Sequence, residues 1–285
     1  MILVTGASGT VGRALVAQLL RDGRKVRVLT RNPGRVSFPD GVEIVQGDLG
    51  IPSTLTAAVA GVTSVFLSGV GHQRAVHDRN VVTAARGAAV EHVVQLSSLA
   101  VEEDHTGAEA ARVLAGWHAA GEAALTDSGL PWTILRPNGF MSNALQWARP
   151  IAAGETVIRA PFGRLASTPV DPRDLAAVAA VALARPGRGE IHRVTGPEPI
   201  TPAGQVRVLG ELLGLPLRFA EQTLDEARRA LARVMPADTA DAVLAARAHA
   251  DLAVRTAVHP TVAELTGRPA RSFAEWAADH AASFR

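Results

Sequence analysis

Short apolar runs alternate along this chain with longer stretches whose apolar residues recur every three or four positions. Residues 1–5, 25–30, 42–49, 64–69, 92–98 and 131–137 are runs dominated by Val, Ile and Leu. Near-continuous apolar runs of this length predict strands covered on both faces. Between them lie helical patterns: one from Val11 through Ala14, Leu15 and Leu19, then 52–59, 72–87 and 109–127. This alternation predicts an α/β fold, a Rossmann-type doubly wound parallel sheet. After Pro137 the pattern loosens into a Gly/Pro-punctuated stretch reaching Pro169. A helix of Ala, Val and Leu follows over 175–184, capped by Asp171-Pro172-Arg173-Asp174, then a strand over 191–195 and a helix over 202–213. An amphipathic helix over 273–284 closes the chain. Residues 1–139 therefore read as one doubly wound domain. Residues 140–285 read as a smaller, helix-rich, substrate-binding portion laid over the sheet's C-terminal edge and lending the sheet its last strands.

The first strand breaks at once into a glycine turn, MILVTGASGTVG. Gly6, Gly9 and Gly12 stand three apart, and a helical pattern starts at Val11. Strand, glycine turn and helix in that order are the context a dinucleotide fingerprint requires, so residues 1–139 read as an NAD(P)-binding Rossmann domain. Gly6 turns tightly off the strand, Gly9 lets a pyrophosphate approach the backbone, and Gly12 lets the helix pack closely on the sheet. Ser8, Thr10 and Val11 complete a helix N-terminus that offers free N–H groups to the phosphates. The residue after the second strand is Arg31, with Arg35 close by. An acid there would accept from the ribose hydroxyls, whereas a guanidinium fork suits a 2′-phosphate, so NADPH is expected, with NADH possible. The alternative is that Arg31 stacks on the adenine. Asp48, after the third strand, either accepts from the adenine amino group, with Leu49 against the ring, or caps the following helix. Ser68 and Gly69 are small residues at a strand end, as close passage of a cofactor requires.

Composition narrows the chemistry. The chain has no Cys and no Tyr, and Lys25 is its one lysine. Disulfides, thiolate nucleophiles, Cys-based metal sites and any Tyr–Lys mechanism are excluded by counting. The nine histidines never fall into an HxxxH or HExxH spacing, so no metal is expected. A pI near 10.2 suggests nucleic acid, but the formal charge is only +2. With so little titrating between His and Arg the charge curve is flat and crosses zero late; no dense basic patch is visible. No apolar run is long and uncharged enough to span a bilayer, and the first one lacks a basic stretch before it. A cytoplasmic monomer or homodimer acting on a small molecule is expected, with neither nucleic acid nor membrane as partner.

GASGTVG, the strand-end Arg31, Leu96-Ser97-Ser98, residues 117–143 (WHAAGEAALTDSGLPWTILRPNGFMSN) and 264–280 (ELTGRPARSFAEWAADH) resemble the NmrA-like family. That family is an atypical branch of the short-chain dehydrogenase/reductases, and members similar to this chain include NAD(P)H:quinone reductases. The resemblance implies a reductase. It also implies that Pro137, Asn138, Phe140 and Met141 flank the nicotinamide or floor the substrate pocket. In the wider superfamily a Tyr and a Lys four residues on act with an upstream Ser. Placing Glu122 on the Glu that follows that Lys puts His118 at the Lys position and Leu114 at the Tyr position. The Ser position falls on Ser97 or Ser98, or slightly beyond, on Leu99 or Ala100.

A ketone reduced by hydride leaves a strongly basic alkoxide, which needs a positioned acid. A quinone leaves a phenolate-like anion with acidity near that of tyrosine, about 10. Its proton can come from water, from the substrate's own hydroxyl, or from His118. The missing tyrosine thus points to a quinone or a bulky aromatic, polyketide-like carbonyl. Ser97 or Ser98 is a candidate to polarise the carbonyl; otherwise both simply bond backbone. His118 is a candidate catalytic and ribose-binding residue, against a surface ion pair with Glu122. His105, in a run of acids, is expected to be solvated, and Trp117 and Trp147 to be core. The other class of function that fits is a non-catalytic NADP(H)-binding redox sensor that regulates a protein partner.

Overall fold

A computed structural model describes residues 1–285 apart from Val70, Gly107, Pro186 and Arg188. Its strands are β1 (Ile2–Val4), β2 (Val26–Thr30), β3 (Val42–Gln46), β4 (Ser64–Leu67), β5 (His92–Leu96), β6 (Trp132–Pro137), β7 (Val157–Ala160), β8 (Glu190–Val194) and β9 (Arg218–Glu221). The helices are α1 (Thr10–Arg21), α2 (Leu55–Val59), α3 (Arg74–Gly87), α4 (Glu109–Thr126), α5 (Ala148–Ala152) and α6 (Pro172–Ala184). They continue with α7 (Pro202–Leu213), α8 (Leu224–Leu231), α9 (Ala237–Ala248), α10 (Leu252–Thr256), α11 (Thr261–Thr266) and α12 (Phe273–Asp279).

Seven strands form one parallel sheet in the order β3-β2-β1-β4-β5-β6-β8. The order reverses direction at β1, and that switch is where the crevice of a doubly wound fold opens. The apolar runs are strands because both faces of the sheet are covered. On one face α1 and α6 pack on each other over Val4, Val28, Phe66 and Val94, with Val262 of α11 joining them. On the other, Leu55, Val81, Val82, Ala85 and Leu125 of α2, α3 and α4 cover Leu3, Val65, Leu67, Val93 and Ile134. Each such leucine or valine contributes about 1.5–3 kcal/mol by leaving water.

A third core lies beyond the sheet edge, around Trp147, Ile158, Leu209, Phe273, Trp276 and Phe284. It holds β7 and β9, a two-stranded parallel sheet absent from the sequence reading. Strand ends also come earlier than the runs suggest: Asp48, Leu49, Ser68, Gly69, Ser97 and Ser98 all lie just past their strands, in the loops. The closing helix is α only to Asp279, then turns 3-10 over Ala281–Phe284 so that Phe284 meets the Trp276 ring edge-on.

Candidate functional site

Thr5 fixes the end of β1. Its backbone N–H and its hydroxyl both donate to the Phe66 carbonyl, at 3.0 and 3.1 Å, and its hydroxyl accepts from the Ser68 N–H at 2.8 Å. Gly6 then leaves the strand at φ +62°, in the left-handed region that favours glycine. A Cβ on Gly12 would lie 2.3 Å from the Gly6 carbonyl oxygen and 2.7 Å from the Ala7 Cα. The constraint at Gly12 therefore comes from the turn's own backbone, and not from packing on the sheet as its spacing suggested. Gly6, Ser8, Gly9 and Thr10 are exposed, whereas Val11 is buried against the core. The first turn of α1 has no side-chain cap and no acid. Its orphan N–H groups and positive dipole end face outward. A glycine cradle that a Cβ would fill, beneath an uncapped helix start, fits a diphosphate.

The neighbouring strand ends line the same edge. Arg31, exposed directly after β2, has no ion-pair partner among the described residues. Arg35 is exposed in the 3-10 turn that follows. Asp48 does not cap a helix: its Oδ1 accepts from the Gly50 N–H at 2.8 Å in an Asx turn. The hydroxyl that organises the next turn is that of Thr54, which accepts from the Asp48 N–H and bonds the Ile51 carbonyl. Leu49 packs on the core under α2 and α3. Ser68 is half-buried, with its side chain 3.2 Å from where a Gly6 Cβ would stand.

Below this edge is a buried ion pair that the sequence reading missed. Arg74 Nε lies 3.2 Å from Asp78 Oδ2, four residues on along α3, with both side chains out of water. Arg74 also donates to the carbonyls of Gly69 and Leu96, so one guanidinium ties together the ends of β4 and β5. Gln95 donates to Asp78 at 2.8 Å. Burial pushes the Asp78 carboxyl up and the Arg74 guanidinium down, each opposed by the other's charge. A Cβ on Gly69 or Gly121 would collide with the Asp78 carboxylate, at 2.2 and 2.5 Å, so both positions keep room for it. Removing one member of such a pair costs about 3–5 kcal/mol. Its spacing was visible in the sequence, but on a helix that reads as polar nothing marked it as buried.

The candidate catalytic residues separate. Ser97 is buried and donates its hydroxyl proton to Glu122 Oε1. Glu122 also accepts from Arg136 Nε at 3.0 Å, and Glu102 bridges Arg136 and Arg193 at 2.8 and 2.6 Å. Ser97 is thus occupied by a structural network and is not free to polarise a carbonyl. Ser98 is half-buried, accepts from the Ala100 N–H at 3.2 Å, and lines the cavity described below. His118 makes no ion pair with Glu122. Burial, with the Arg74 cation as the second cause, pushes its imidazole down to about 3. The imidazolium that proton donation requires is therefore missing at neutral pH. His105 is not solvated: it is buried, with Nε2 3.3 Å from the Ala100 carbonyl oxygen, because Glu103 folds inward to Arg255 at 2.9 Å. Trp147 is core as expected, whereas Trp117 is half-exposed and meets His72 edge-on at 6.4 Å.

A cavity of about 720 Å³ opens over the ends of β5 and β6. Ser98, Asn138, Gly139 and Phe140 form its floor at the sheet edge, and Leu114 of α4 lines it as well. The position that holds the acid elsewhere in the superfamily is thus an apolar side chain facing the cavity. Pro137, buried at the end of β6, stands just beneath. Asn138 is buried and uses both amide protons, donating to Thr168 Oγ1 at 2.8 Å and to the Arg255 carbonyl. Trp147, Ile158, Leu231 and Val243 supply apolar wall from the C-terminal half, and Arg159, Arg233, Arg247 and Arg255 supply positive charge. The volume is that of a site for a small organic molecule.

A family model described as "NAD(P)H-binding" matches residues 6–186. The chain is 44% identical to a (4-alkanoyl-5-oxo-2,5-dihydrofuran-3-yl)methyl phosphate reductase of Streptomyces griseus, over all of this chain and 99% of that protein. It is 34% identical to an NAD(P)H azoreductase of Xenophilus azovorans, over 100% and 99% of the two chains. Among solved structures, an NADPH-dependent quinone oxidoreductase from Escherichia coli, complexed with NADPH, superposes with a TM-score of 0.82. It is 27% identical, and the match covers 99% of each chain. The chain belongs to the NAD(P)H-binding family, in its NmrA-like branch of atypical short-chain dehydrogenase/reductases, and is an NAD(P)H-dependent reductase.

Proposed function

We propose that the protein uses NADPH to reduce a conjugated carbonyl compound, a quinone or a bulky aromatic or unsaturated acyl ring, without an acid of its own. The observation that carries this is a roomy, half-apolar cavity at the sheet edge with Leu114 where a proton donor would stand. Residues 1–139 hold the cofactor in this reading and 140–285 enclose the substrate.

Gly6, Ser8, Gly9, Thr10, Val11 and Gly12 hold the diphosphate at the uncapped end of α1, and Arg31 pairs with the 2′-phosphate. Asp48 and Leu49 take the adenine, and Ser68 and Gly69 let the chain of the cofactor pass. NADPH supplies a hydride when bound. Pro137, Asn138 and Phe140 orient the nicotinamide end, Asn138 with the amide oxygen that its two donated bonds leave free. His118 stays neutral and serves only as a hydrogen-bonding side chain near the ribose. Ser98 faces the acceptor.

Hydride delivery to a quinone, or to the β-carbon of a doubly activated ring such as the acyl dihydrofuranone in the name of the Streptomyces relative, places the charge on oxygens that share it by conjugation. Such an anion is a weak base that water protonates, so the protein need only hold donor and acceptor face to face. An isolated ketone lacks this outlet.

Steady-state NADPH oxidation with menadione and with acetophenone, in the wild type and in Arg31→Ala, tests the reading. Menadione should accelerate oxidation and acetophenone should not. The variant should need at least about tenfold more NADPH, the worth of one charge-assisted bond, with little change for NADH. Equal rates with both acceptors, or an unchanged KM for NADPH, would overturn it.

A further inference from the structure

The cavity carries more positive charge than its own acids neutralise. Arg255 is paired, its NH2 2.9 Å from Glu103 Oε1 and its Nε donating to Oε2 at 3.1 Å. Glu103 is then fully used, because Oε2 also accepts from the Asp251 N–H. Glu155, the other acid of the lining, is exposed. Arg247 of α9 is different. Its guanidinium lies 5.8 Å from the Phe162 ring centre, its Nε is buried with no hydrogen-bond partner, and it meets no carboxylate among the described residues. Burial and the neighbouring Arg255 cation both push its pKa down, which is the signature of a charge without a counterion. Phe162, the ring beneath it, sits at φ +60°, a conformation a bulky residue rarely adopts. Arg159 and Arg233, both exposed, add two further cations to the same lining.

A partly buried guanidinium whose Nε is shut off from water without a partner costs the fold stability unless something supplies the missing anion. The cofactor does not supply it, since the glycine turn and Arg31 lie outside this cavity. We propose that Arg247 receives a phosphate monoester carried by the substrate itself, with Arg159 and Arg233 at the rim matching its second charge. The assignment rests on reading the cavity as the acceptor site. A planar guanidinium fork bonds two phosphate oxygens at once, and three cations suit a dianion better than a carboxylate. Ala227, Ala230 and Leu231 of α8, beside this end of the lining, give an apolar arm a place to run.

Calorimetric titration of phenyl phosphate, benzoate and benzyl alcohol into the NADP+-loaded protein tests this without turnover. Phenyl phosphate should bind at least tenfold more tightly than benzoate or benzyl alcohol. Arg247→Met should lose that preference while melting no lower than the wild type, because it removes an uncompensated charge. Equal binding of the three compounds, or a preference that survives in Arg247→Met, would overturn the proposal. Benzoate binding as tightly as phenyl phosphate would overturn the phosphate assignment. Phenyl phosphate binding in a protein that fails to reduce menadione would sink the quinone reading and leave this one standing.

Discussion

At the scale of the residue, His118 combines an informative position with an unexpected state. Counting along the family pattern places it where a lysine usually stands, yet burial and Arg74 push it down to about 3 from an ordinary 6.5. Between those values the unfolded chain binds a proton that the folded chain refuses. The stabilisation linked to His118 is therefore complete above pH 6.5 and is lost as pH falls towards 3. Replacing it by Leu should reduce the loss of stability between pH 7 and 4.5 by about 2–3 kcal/mol, measured by denaturant unfolding at the two values. An unchanged loss would mean that the imidazole is not desolvated. Glycines and absences were the legible residues: the turn at Gly6, Gly9 and Gly12, and the lack of any tyrosine, can be read from the chain directly. Ser97 and Ser98 could not be told apart, since adjacent residues past a strand end point in opposite directions, one to Glu122 and one to the cavity. Arg247 gave no signal, because nothing in an alanine-rich helix says which arginine lacks a partner.

Among the elements, α1 is where the fold and the proposed diphosphate cradle meet most closely. It buries Val11, Leu15, Val16 and Leu19 on one side and leaves its N-terminus open on the other. Gly12→Ala tests that coupling. A methyl group 2.3 Å from the Gly6 carbonyl oxygen must push the turn away from the helix. NADPH affinity should fall at least about tenfold, or about 1.4 kcal/mol, read by quenching of protein fluorescence on titration. Melting should also come earlier, as overpacking typically costs about 1–3 kcal/mol. Wild-type affinity in that variant would show that the turn can shift freely. The six leading strands and α7 were legible because a strand covered on both faces is apolar throughout and a helix repeats every 3.6 residues. β7 and β9 were not. At four residues each, with Arg159 and Arg218 among them, they are too short and too polar to show a period. They pair in parallel across a long crossover that includes α6, β8 and α7, a contact distant in sequence.

Across the whole molecule, the division of labour follows the sheet. Its C-terminal edge gathers the glycine turn, Arg31, Asp48, Ser68, Ser98 and Asn138 from six different strands, and the C-terminal half closes a cavity over one end of that edge. The doubly wound topology was legible from the alternation of elements. The cavity was not, because Leu114, Trp147, Ile158, Leu231 and Arg247 come together only through contacts distant in sequence. What unites both halves is the claim that hydride transfer here proceeds with no acid from the protein. The rate of a single turnover of NADPH oxidation by menadione, followed by stopped flow from pH 6 to 9, addresses it directly. With no protein group titrating in the step, the rate should vary by less than about twofold across the range. A rate that falls about tenfold per pH unit along the alkaline limb, as when an essential acid loses its proton, would contradict the account.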